Sequence, residues 1–205
     1  MVKIKICGIR DSEGALACHE AAVDYVGFNF VTGRRRSVTP DQASSLHKLC
    51  PKAKAVGVFM NQAAEVIIET HATCPLDFIQ LHGDETPDYC RNISRFAPVI
   101  KAFAITDDFE PKALEEYASS VQYWLFDGAK AGKGERFMWE QLDSSVLNKP
   151  FFIAGGINQS NVSEALSRFS PYGVDTASGI EIDGKQDRNS ILSFCNTVRT
   201  VRGNS

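Results

Sequence analysis

The sequence has no run approaching the roughly twenty apolar residues that a bilayer span requires, which argues against a transmembrane helix. It shows no apolar signal segment either. Met1 leads straight into the alternating Val2-Lys3-Ile4-Lys5-Ile6, and a cytoplasmic location is expected. Long blocks of one charge sign are missing: 22 basic and 25 acidic side chains, a net charge of −3, are scattered along the chain. That balance gives no electrostatic footprint for nucleic acid or for an anionic membrane surface. The one dense basic cluster, Arg34-Arg35-Arg36, reads as a local anion site or as a solvated loop. No two of the six cysteines (Cys7, Cys18, Cys50, Cys74, Cys90 and Cys195) form a Cys-x-x-Cys arrangement, which argues against a zinc ribbon or a thioredoxin-type pair, and no metal is expected. With 205 residues, 43% of them hydrophobic, the chain has core enough to do without disulfides. Five of the cysteines are therefore expected as small buried hydrophobes.

What the chain does have is alternation. Strand-like runs occur at Lys3 to Cys7, Tyr25 to Phe30, Ala55 to Phe59, Phe78 to Leu81, Val99 to Phe103, Tyr123 to Phe126, Phe151 to Ala154 and Val174 to Ala177. Helical patterns follow each: Asp11 to Ala22, Pro40 to Leu49, Gln62 to His71, Thr86 to Phe96, Pro111 to Ser119, Trp139 to Val146, Asn158 to Phe169 and Asp187 to Arg202. Runs such as Phe151-Phe152-Ile153-Ala154 are almost continuously apolar, as a parallel strand covered on both faces must be. The expected class is α/β, a single (β/α)8 barrel over residues 1–205. A doubly wound open sheet is the competitor, disfavoured because no Gly-x-Gly-x-x-Gly follows the first strand. Only Gly128 to Phe137 and the turn Gly179 to Gln186 look long.

In a barrel the chemistry gathers where strands end, so the residues closing each run carry the information. Cys7 closes the first and precedes Gly8; a thiol titrates close enough to neutrality to serve as a base. Side chains alternate along a strand, so Lys5 shares the face of Cys7 and needs a carboxylate, with Asp127 or Asp175 as candidates. A Lys5 beneath the site would favour the Cys7 thiolate. Asp127 follows Trp124-Leu125-Phe126, and an apolar rim favours an acid that still carries its proton. Gly155-Gly156 and Ser178-Gly179 fall in the seventh and eighth loops, where barrels seat phosphate on backbone N–H groups.

These residues assemble into motifs: Lys5-Ile6-Cys7-Gly8, Gln80-Leu81-His82-Gly83, Phe126-Asp127-Gly128, Ala154-Gly155-Gly156-Ile157 and Gly173 to Glu181. In this order the chain resembles the phosphoribosylanthranilate isomerases, from its first strand to its last helix. The resemblance implies an Amadori rearrangement of N-(5-phosphoribosyl)anthranilate in tryptophan biosynthesis, without a cofactor. It also implies Cys7 as base, Asp127 as acid, and Arg36 on the anthranilate carboxylate, with His82 and Asp175 at the substrate. Gly155, Gly156, Ser178 and Gly179 would take the phosphate. Arg34 and Arg35 are then expected as solvated loop residues. Asp175 is expected either on sugar hydroxyls or as the anchor of Lys5. Where the family commonly has Gly-Gly-(Ser/Thr)-Gly in the sixth loop, this chain has Ala131-Gly132-Lys133-Gly134, so Lys133 either meets the phosphate or lies in solvent. The expected partner is a phosphorylated small molecule, and the chain a monomer or a homodimer. Two alternatives stand beside this reading. One is the sugar-phosphate isomerase of histidine synthesis, whose base is a carboxylate where this chain has Cys7; the other is a barrel that binds a phosphosugar without converting it.

Overall fold

A computed structural model describes residues 1–106, 109–128, 142 and 147–201. Eight parallel strands pair in chain order: β1 (Lys3–Cys7), β2 (Tyr25–Asn29), β3 (Lys54–Phe59), β4 (Phe78–Leu81), β5 (Val99–Ile105), β6 (Tyr123–Gly128), β7 (Phe151–Ile153) and β8 (Gly173–Thr176). Pairing of β1 with β8 closes them into the expected barrel, and the open sheet is excluded. Around it lie α1 (Ser12–Glu20), α2 (Pro40–His47), α3 (Ala64–Thr73), α4 (Pro87–Ile93), α5 (Ala113–Tyr117), α6 (Val162–Phe169) and α7 (Arg188–Val201). The helix expected between β6 and β7 and the loop carrying Lys133 fall outside the described residues, apart from Leu142, which is buried. Among the described residues no helix is long and apolar enough to cross a membrane.

Local chemistry sets the helix starts. Asp11 caps α1 by accepting from the N–H of Gly14 at 2.8 Å. Thr39 and Gln42 form a reciprocal capping box with Pro40 in the first turn of α2. The pattern read as helical from Asn158 becomes helix only at Val162. Asn158 and Asn161 bind back to the main chain instead, with Asn158 Oδ1 accepting from the Ser160 N–H at 2.8 Å and Asn161 Nδ2 donating to Gly156 O at 2.9 Å. Such side chains compete with the helix for backbone groups. The turn expected over Gly179 to Gln186 is a 3-10 turn at Ser178–Ile180 followed by a hairpin, β9 (Glu181–Ile182) and β10 (Lys185–Gln186). Its two loop residues, Asp183 at φ 50° and Gly184 at φ 75°, have the left-handed backbone that a tight Asp-Gly hairpin turn demands.

Register decides what faces inward. Lys5 pairs with Tyr25 and Asp175, Cys7 with Gly27, Val56 with Phe78, Gln80 with Ile100, and Leu125 with Phe152. Tyr25, Val56, Phe78, Ile100, Leu125 and Phe152 consequently fill the barrel as one apolar cluster, while Ile4, Ile6, Val26 and Phe28 face the helices in another. At the N-terminal end the hydroxyl of Tyr172 lies 2.9 Å from that of Tyr25 and 3.1 Å from that of Tyr123. Phe152 meets Tyr25 edge-on with centroids 5.4 Å apart. Truncating so buried a ring typically costs about 3–5 kcal/mol. The plug of rings closes one mouth of the barrel and leaves polar chemistry to the other.

Candidate active site

Towards the C-terminal ends of the strands the inner rows turn polar. Cys7, Asn29, Gln80, His82, Asp127 and Asp175 face a cavity of about 310 Å³. Arg36, Gly155, Gly156 and Ser178 also line it, as do Arg34 and Arg35, so the expected site residues are brought together with one exception. Gly179 does not line the cavity. A Cβ there would collide with Ile157 O and stand 2.7 Å from Thr176 Oγ1, so the absence of a side chain lets the eighth loop lie against the seventh. Thr176 Oγ1 donates to Ile157 O at 2.6 Å and joins the same two loops. Among the described residues the N–H groups of Gly155 and Gly156, both at positive φ, have no protein acceptor.

Beneath Cys7 lies a buried ion pair. Lys5 Nζ stands 3.0 Å from Asp175 Oδ1. Of the two carboxylates considered for Lys5, register selects Asp175, which pairs directly with it across β1 and β8. Burial drives the Lys5 ammonium down, but Asp175 and Cys7 outweigh it and hold it above its ordinary range. Burial pushes the Asp175 carboxyl up against the pull of Lys5. Burial likewise pushes the Cys7 thiol up; Lys5 and Arg36 draw it back and Asp175 adds to the rise. Lys5 thus acts on Cys7 in the expected sense, yet desolvation is the larger effect. The other five cysteines are buried and unpaired, as expected of small hydrophobes. Gly27 gives Cys7 its room, since a Cβ there would sit 2.8 Å from Sγ and 3.2 Å from Lys5 Nζ.

Asp127 is held from two sides. Its Oδ1 accepts from the Gly128 N–H at 2.8 Å, and its Oδ2 lies 3.1 Å from His82 Nε2. Gln80 Nε2 stands 2.9 Å from His82 Nδ1. An amide nitrogen only donates, so Nδ1 accepts and the ring carries its proton on Nε2, towards Asp127. Gln80, which the sequence reading quoted within a motif but gave no role, is 1% exposed and its Oε1 has no partner among the described residues. Its spacing was the available signal: residues 80 and 82 share a strand face.

Arg36 meets Glu181 in a two-pronged contact, Nε to Oε1 at 2.7 Å and Nη2 to Oε2 at 2.8 Å. Gly8 makes this approach possible, because a Cβ on it would collide with Cδ of Arg36. Arg35 is exposed, as expected of a solvated loop residue, but its guanidinium is engaged. Its Nη2 reaches Glu181 Oε2 at 2.6 Å and its Nη1 donates to Gly184 O at 2.5 Å. The β9–β10 hairpin supplies both acceptors, and its position beside the second loop was not foreseen. Arg36 and Arg35 outweigh the burial of Glu181 and hold its carboxyl below the usual range. Arg34 is exposed, with Nη2 3.7 Å from Met60 Sδ. Among the described residues no cluster of side chains is arranged to hold a metal ion.

The sequence profile of the family described as N-(5'-phosphoribosyl)anthranilate (PRA) isomerase matches residues 4–197. An N-(5'-phosphoribosyl)anthranilate isomerase of Streptococcus mutans serotype c is 40% identical over 200 residues, spanning 97% of this chain and 100% of its own length. The crystal structure of a phosphoribosyl anthranilate isomerase from Thermus thermophilus aligns with a TM-score of 0.89 at 31% identity, covering 98% of this chain and 100% of that one. Another such isomerase, solved in complex with reduced 1-(o-carboxyphenylamino)-1-deoxyribulose 5-phosphate, aligns at 0.81 with 31% identity and the same coverage. Agreement in sequence and in fold across nearly the whole length leads to one assignment: the chain belongs to the N-(5'-phosphoribosyl)anthranilate isomerase family.

Proposed function

We propose that the protein converts N-(5-phosphoribosyl)anthranilate into 1-(2-carboxyphenylamino)-1-deoxyribulose 5-phosphate, a step of tryptophan biosynthesis, acting as a single cytoplasmic catalytic domain. One observation carries the reading: a thiol from β1 and a carboxyl from β6 share a cavity whose wall also offers a guanidinium and glycine N–H groups. Gly128 and His82 hold Oδ1 and Oδ2 of Asp127 in place, which fixes its carboxyl for the delivery of a proton. Asp127 gives that proton to the furanose oxygen; the C1–O bond breaks as the anthranilate nitrogen lone pair forms the C1 iminium. Cys7 as thiolate then takes the proton from C2, and the C–H pair becomes the C1–C2 double bond of a neutral enolamine. Protonation at C1 and loss of the O2 proton give the ketone. The iminium charge beside Cys7 offsets the burial that disfavours its thiolate.

The other groups hold the substrate. Arg36 receives the anthranilate carboxylate, for which a planar guanidinium is suited. Gly155, Gly156 and Ser178 seat the phosphate, with Gly179 keeping that seat narrow. His82 fixes Asp127 and faces the sugar. Asp175 commits Oδ1 to Lys5 and keeps Oδ2 for a sugar hydroxyl.

The test is to add purified protein to freshly prepared N-(5-phosphoribosyl)anthranilate and follow the decay of its fluorescence against buffer. Accelerated decay with formation of the ribulose phosphate is the expected result. Binding without acceleration would leave a phosphosugar-binding barrel in place of an enzyme.

A further inference from the structure

Arg36 has five N–H donors in a rigid plane, and only the edge formed by Nε and Nη2 is used by Glu181. The opposite, end-on edge, made of Nη1 and the outer N–H of Nη2, has no acceptor among the described residues, and Arg36 lines the cavity. Glu181 does not face the cavity; its side chain is 6% exposed and lies behind the guanidinium. Arg35 grips the same carboxylate and the Gly184 carbonyl, and Arg10 Nη2 donates to that carbonyl at 2.7 Å. Glu181 is therefore fixed by the hairpin on one side and by two arginines on the other.

We infer that Glu181 is a positioning residue for substrate specificity: it fixes the plane of Arg36 so that the free end-on edge presents two parallel N–H groups to the substrate's aromatic carboxylate. One guanidinium then serves two carboxylates, an internal one that sets its orientation and an external one that it recognises. An unanchored arginine on a loop would sample several rotamers and lose that freedom on binding. Its charge would also be open to either anionic end of the substrate. With Glu181 in place the net charge at this wall is partly cancelled, and recognition rests on the fork's geometry. The inference rests on the reading of Arg36 given above.

The experiment compares two substrates, N-(5-phosphoribosyl)anthranilate and N-(5-phosphoribosyl)aniline, which lacks the carboxylate, by product formation. For E181Q the KM of the carboxylated substrate is expected to rise about tenfold, with kcat within about twofold and the KM of the aniline substrate unchanged. E181D keeps the charge but withdraws the fork by one methylene, and carries the same test should E181Q not fold; a smaller defect, again confined to the carboxylated substrate, is expected. Equal KM increases for both substrates, or none for either, would overturn the proposal. R36K is the control. If R36K shows no penalty selective for the carboxylated substrate, the reading of Arg36 fails; if it does and neither Glu181 variant does, the inference alone fails.

Discussion

Lys5 Nζ lies 3.0 Å from Asp175 Oδ1, with side chains 0% and 7% exposed, one step below Cys7 on the inner face of the barrel. The Lys5 charge has no water to fall back on, and Asp175 meets solvent only through the cavity. Replacing Lys5 by Met leaves the Asp175 carboxylate buried without its counter-charge, so stability in a denaturant titration should fall by about 3–5 kcal/mol. It also removes the charge that draws the Cys7 thiol down. The rise of kcat/KM with pH that reports Cys7 deprotonation should therefore move to higher pH. An unchanged profile together with unchanged stability would remove Lys5 from the site.

Cys7→Ser and Asp127→Asn should each lower kcat at least about a hundredfold, the lower range for acid–base groups. The double variant should lose far less than the product of the two, because the steps depend on one another. Wild-type turnover in either single variant would refute the role assigned to that residue.

Gly8 stands at φ 78° with the stem of Arg36 across it. Gly8→Ala meets both a strained backbone and a collision with Cδ of Arg36. A loss of about 1 kcal/mol or more is expected from the conformation alone, and KM should rise as Arg36 is displaced. Thermal melting and steady-state kinetics on the same preparation separate the two effects. A KM equal to wild type would show that Arg36 can hold its place by another route.

On the outer face of β5, Lys101 is 2% exposed and donates to Gly83 O at 2.6 Å and Ala102 O at 3.0 Å, with Glu85 Oε2 3.1 Å away. Glu85 in turn accepts from the N–H groups of Gly83 and Asn61, both at 2.9 Å. This buried pair pins the loop that carries His82. Lys101→Met should cost about 3–5 kcal/mol and speed hydrogen exchange at the Gly83 amide. Unaltered exchange there would show that the loop does not depend on the pair.

The strands were legible because their patterns answer to local rules. Lys3–Cys7 and Phe78–Leu81 match the expected bounds, and the remaining six differ by one or two residues at their ends. Cys7 and Lys5 could be placed on one face because a strand alternates with period two, whatever lies next to it. The segment Gly179 to Gln186 was legible as a turn, but its Asp-Gly signal reads as a hairpin only once the short flanking strands are recognised. Helix α6 begins late because Asn158 and Asn161 close their own hydrogen bonds first, a choice that both residues' chemistry allows and that only the loop geometry makes.

By itself the sequence determined the alternation of strand and helix, the inward row of Lys5 and Cys7, and the glycines of the last two loops, since each follows from bonding or sterics within a few residues. Tertiary structure alone decided that Asp175 and not Asp127 takes the Lys5 charge, that Gln80 orients His82 against Asp127, and that Glu181 occupies one edge of Arg36. Those pairings join residues 2 to 170 positions apart, and their outcome depends on register and barrel closure, which are properties of the whole sheet rather than of any segment.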